Sequence, residues 1–72
     1  MSNTKKTLRQ WRREKELNQQ QVADFLGISI NNYAAKEQGK RDFLFSEVIK
    51  FTELIGVNVN EVQLINIKNT EK

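Results

Sequence analysis

Seventy-two residues with 38% hydrophobic and 29% charged content make one small folded domain, because a chain this short buries only about 60% of its unfolded surface and cannot support two cores. Zero Cys and zero His remove disulfides, thiolate nucleophiles, sulfur-ligated metals, the commonest general base and the commonest zinc ligand, so neither an enzyme nor a metal or other cofactor is expected. No apolar run approaches the ~20 residues of a membrane span, and the start Met-Ser-Asn-Thr-Lys-Lys has no signal-like apolar stretch, so a soluble, cytoplasmic chain is expected.

Twelve Lys plus Arg against nine Asp plus Glu give a net charge of +3 and a pI of about 9.5. The charge is unevenly spread. Residues 1–17 hold Lys5, Lys6, Arg9, Arg12, Arg13 and Lys15 against Glu14 and Glu16, and residues 42–72 are net acidic. Such asymmetry fits either a solvated first helix or a molecule with one side turned to an anion such as nucleic acid.

With no Pro, punctuation falls to Gly27, Gly39 and Gly56, each placed where an apolar pattern pauses. Thr7 to Leu17 reads as an amphipathic first helix on Leu8 and Trp11, with Asn3 or Thr4 as its cap. Asn18 followed by Gln21 is a capping-box pattern, and Val22, Ala23, Phe25 and Leu26 run on to Gly27 as a second helix. Ser29 caps a third of about two turns, holding Tyr33, Ala34 and Glu37 and ending at Gly39. Phe45, Val48, Ile49, Thr52 and Ile55 form the buried stripe of a fourth helix, closed by Gly56. Asn58 with Glu61 repeats the capping-box pattern and predicts a short fifth helix from Val59 to Ile65, although the alternation through Ile67 also suits a strand.

These elements predict an all-α, compact five-helix bundle over residues 1–68, with a loose tail at 69–72. Its expected core is Leu8, Trp11, Leu17, Val22, Leu26, Ile28, Tyr33, Phe45, Val48, Ile49 and Ile55. Between Gln19 and Gln38 the order is helix, turn, helix. Two short helices that cross closely need a small residue, a left-handed glycine and apolar contacts beneath, and Ala23, Gly27 and Ile28 supply these.

The runs Leu8-Arg9-Gln10-Trp11-Arg12-Arg13-Glu14-Lys15, Leu17 through Ser29, Glu37-Gln38-Gly39-Lys40-Arg41 and Leu54 through Glu61 together resemble the Cro and CI repressor family of helix-turn-helix regulators, from about Thr7 to Leu64. The resemblance implies a lambda-repressor-like domain whose third helix, Ser29 to Gln38, enters the DNA major groove, commonly as half of a dimer. It also implies a setting in the lysis-lysogeny switch of a temperate phage, as a repressor or as an antirepressor that modulates a partner repressor.

By that resemblance Gln19 touches a phosphate and braces the third helix. Ser29, Ile30, Asn31 and Asn32 face base edges, with Ala34 and Ala35 one turn further on. Lys40 and Arg41 lie along the sugar-phosphate backbone, and Arg12 pairs with Glu37 across the first and third helices. Tyr33 and Lys36 depart from the pattern, standing where the family has a β-branched residue and an apolar or aromatic one.

Two functions from different classes follow. The first is a DNA-binding regulator using Gln19, Ser29, Ile30, Asn31, Asn32, Ala35, Lys40 and Arg41. The second is an antirepressor that contacts a partner phage repressor through an apolar surface of Ile30, Ala34, Phe43, Leu44, Phe51 and Leu54. Trp11 among Arg9, Arg12 and Arg13 suits core packing better than nucleic-acid stacking.

Overall fold

The computed structural model describes residues 5–63 and 67–68. Its elements run α1 Leu8–Glu14, α2 Gln19–Leu26, α3 Ile30–Glu37, β1 Phe43–Leu44, α4 Phe45–Ile55, a 3-10 turn Val59–Glu61 and β2 Ile67–Lys68. No helix among the described residues is long and apolar enough to cross a membrane.

Local chemistry sets most boundaries. Thr7 caps α1, its hydroxyl accepting from the Gln10 N–H at 3.2 Å while the Gln10 side chain accepts from the Thr7 N–H at 2.9 Å. Asn3 and Thr4, the caps expected earlier, lie outside the described residues. The helix stops at Glu14 rather than Leu17, because Glu16 takes a left-handed φ of 57° and Leu17 N–H folds back to the Arg12 carbonyl. Asn18 and Gln21 then close a capping box on α2, Gly27 ends it at φ 78°, and Ser29 caps α3 through the Asn32 N–H.

Among the described residues the expected fifth helix does not form, and the α-helices are four. Asn58 N–H does donate to the Glu61 carboxylate, yet only a single 3-10 turn follows. Val62 leaves it in extended conformation, is 1% exposed and bridges Lys6, with Gln63 N–H donating to the Lys6 carbonyl at 2.8 Å. A pairing partner from the other end of the chain therefore outcompetes continued helix. The rest of that expected helix, Leu64 and Ile65, and the tail at 69–72 lie outside the described residues. Ile67 and Lys68 pair in parallel with Phe43 and Leu44, adding a two-stranded element to the bundle.

The core gathers Leu8, Val22, Ala23, Leu26, Tyr33, Phe43, Val48, Phe51, Ile55 and Val62. Two residues expected on an exposed apolar surface belong to it: Phe43 is 1% and Phe51 0% exposed, so neither can take part in a protein interface. Phe45, expected inside, is 40% exposed. The cause is the rotation of α4. Glu47 turns inward to meet Lys36, so the buried stripe becomes Glu47, Val48, Phe51, Thr52 and Ile55, and Phe45 falls on the outer side. Phe43 arrives on extended backbone and packs edge-on against Tyr33 at 5.9 Å between ring centroids.

Candidate nucleic-acid interface

The site is built on α2 and α3. Val22, Ala23 and Leu26 bury the inner face of α2, and the Ala23 methyl is small enough for α3 to cross closely above it. Gly27 turns the backbone left-handed, which a Cβ would strain although the space around it is open. Ile28 N–H returns to the Ala23 carbonyl at 3.0 Å, so the chain enters α3 at once.

Tyr33 and Lys36 face inward along α3. Ser29, Ile30, Asn31 and Gln38 are exposed, while Asn32, Ala34 and Ala35 are half-buried. Lys40 and Arg41 follow on the exposed loop after Gly39. Ser29, Asn31, Asn32 and Arg41 line one shallow depression of about 370 Å³, so the head of α3 and the basic loop share a concavity. The Asn32 amide oxygen is buried there without a hydrogen-bond partner, its backbone N–H serving Ser29.

Behind this face, Glu37 ties three elements together. Arg12 Nε donates to one carboxylate oxygen at 2.5 Å, and Arg12 Nη2 and Gln19 Nε2 donate to the other at 3.3 and 3.0 Å. The remaining Arg12 Nη1 donates to the Leu17 carbonyl at 2.8 Å. Burial by itself would raise the Glu37 carboxyl, but the hydrogen bonds it receives outweigh that and hold it below the usual carboxylate range. The neighbouring Tyr33 hydroxyl is buried without a partner of good hydrogen-bond geometry, and burial followed by the Glu37 charge pushes its pKa far up. Gln19 is thus placed as a brace of α3, with one of its two amide N–H donors engaged on Glu37.

A second buried link was not legible beforehand. Lys36 Nζ donates to Glu47 Oε1 at 2.5 Å, and the same oxygen accepts from the Leu44 N–H at 2.9 Å. The departure of Lys36 from an apolar residue is thereby explained: its stem passes through the core boundary and its charge ends on α4. The only earlier signal was a lysine at an inward position and a glutamate in the first turn of the next helix.

The basic first segment divides in two. Arg12 points inward, whereas Lys6 pairs with Glu14 at 2.6 Å and lies over the Trp11 ring, with Lys15 on the same ring. Trp11 is half-buried and donates its indole N–H to the Glu61 carbonyl at 3.0 Å, which makes it a packing residue.

The helix-turn-helix domain family matches residues 6–65 of the chain. The chain belongs to this family. It is a family of DNA-binding domains, and the match runs from the Lys6 bridge through the 3-10 turn, covering α1 to α4. Searches of the curated proteins and of the solved structures return no significant match. In this helix-turn-helix domain the second and third helices are α2 and α3, with Gly27 at the turn.

Proposed function

We propose that this helix-turn-helix domain is a non-enzymatic transcriptional regulator of phage genetic-switch type, acting in the host cytoplasm and binding operator DNA through α3. Supporting it is the polar, outward N-terminal half of α3, with Ser29, Ile30 and Asn31 exposed and Lys40 and Arg41 beside it. In this reading Ser29, Ile30, Asn31, Asn32 and Ala35 meet base edges, and Gln19, Lys40 and Arg41 meet phosphates. Two copies on a two-fold site would double the contact.

A second reading, an antirepressor that grips a partner repressor, draws support from Ile30, which is 37% exposed on the same helix. Of its earlier surface only Ile30, Ala34, Leu44 and Leu54 remain at least partly accessible. A gel-shift titration at low and moderate salt, with and without a partner repressor, separates the two. Phosphate-mediated binding weakens steeply with salt, and the first reading expects selective, salt-sensitive shifts by the protein alone. No shift alone, with loss of the partner repressor's shift, establishes the second reading instead.

A further inference from the structure

We propose that α3 is built to read A·T base pairs and has no means of its own to select guanine. This deepens the DNA-binding reading and rests on it. Guanine is selected chiefly by an arginine or lysine that donates to its O6 and N7, whereas adenine is selected by an asparagine or glutamine amide and thymine by apolar contact with its methyl group. The outward side of α3 carries Asn31, Ala34, Ala35 and, at its end, Gln38, with Ile30 at its head. These are amides and alkyl groups.

The helix does contain one cation, and the fold withdraws it. Lys36 is 6% exposed and its ammonium sits on Glu47, on the inner side shared with Tyr33. Asn31, exposed and in the first turn, has both an acceptor and a donor free to face adenine N6 and N7. Ile30 beside it presents a branched alkyl surface of the kind that meets a thymine methyl. Ser29, whose oxygen already accepts from the Asn32 N–H at 3.1 Å, keeps one O–H donor that suits any acceptor and so selects little. Ala34 and Ala35, one turn further on, are short enough to let the helix sit close to the groove floor and add further methyl contacts.

The test is selection from a library of randomised duplexes with the intact chain, followed by affinity measurements on the selected site. The expected half-site has A·T pairs at its core, and Asn31→Ala lowers the preference for one adenine over other bases by about 5- to 150-fold. Uracil in place of the thymine beneath Ile30 weakens binding of the parent chain but not of Ile30→Ala. Both side chains are exposed, and thermal melts of the two variants establish that they fold. A selected core of invariant G·C pairs overturns the proposal, as does a guanine preference that survives Arg41→Ala. Salt-sensitive binding without any base preference overturns it too while leaving DNA binding intact. Failure to bind any duplex removes the DNA-binding reading itself, and this proposal with it.

Discussion

The ammonium of Lys36 and the carboxylate of Glu47 meet with their side chains 8% and 9% exposed, so one buried ion pair joins α3 to the head of α4. A buried pair gains little over a well-packed apolar pair, yet breaking it strands a charge. Glu47→Ala or Lys36→Met alone is expected to lower stability by about 3–5 kcal/mol. The double variant Lys36→Met with Glu47→Leu should recover most of that loss in denaturant titrations. A double variant whose loss equals the sum of the two single losses would show that the pair is not coupled.

Glu37 →Gln removes the charge on which Arg12 and Gln19 converge. With its side chain 3% exposed, the expected loss is about 1–3 kcal/mol at neutral pH. The pH dependence has a definite sign. A carboxyl whose folded pKa lies below its unfolded value adds stability that is complete above the unfolded pKa of about 4.3. That stability fades as the pH falls through the lower, folded value. Thermal melts from neutral to acid pH should therefore converge for the parent chain and Glu37→Gln, and parallel curves would contradict the assigned role.

Glu16 holds a left-handed backbone without being glycine, at φ 57°. Glu16→Gly relieves a steric cost of about 1–2 kcal/mol while adding freedom to the unfolded chain, for a net gain of about 0.5 kcal/mol. Gly27→Ala at φ 78° does the reverse and should cost about 1–2 kcal/mol. Because the space around Gly27 is open, that cost is purely one of backbone strain. Chemical denaturation of both variants checks the opposed signs.

Lys40 and Arg41 lie on the loop after α3. In the DNA-binding reading, Lys40→Ala weakens binding about equally on all duplexes and reduces the slope of log affinity against log salt by about 1. Anisotropy titrations at several salt concentrations measure this directly, and an unchanged slope would remove Lys40 from the phosphate contacts.

Much of the fold was readable because it depends on near neighbours. Asn18 with Gln21, Ser29 with its third successor, and the left-handed glycines Gly27 and Gly56 all act within a few residues. The Arg12 and Glu37 contact became legible through resemblance alone, since they are 25 positions apart. What escaped was the rotation of α4, which depends on a lysine from another helix pulling Glu47 inward and carrying Phe51 with it. The fate of residues 59–63 escaped for a similar reason. Asn58 and Glu61 announce a helical start, and a cap carries no information about length, whereas Lys6 decides that Val62 is extended. At the interface, residue types along α3 were evident, but only the folded chain shows that its single lysine faces away from the exposed side.

The indole of Trp11 and the carbonyl of Glu61 are joined across 50 positions, next to the Lys6 and Val62 bridge. Short-range contacts within α2, its turn and α3 close small loops, whereas this seam requires two segments 50 or more positions apart to find each other. Closing so long a loop carries a larger entropic cost than closing the glycine turn. The contacts between α2 and α3 are therefore expected to form more readily than the seam, and loosening the seam by Trp11→Phe should lower the cooperativity of unfolding more than it disturbs the turn at Gly27.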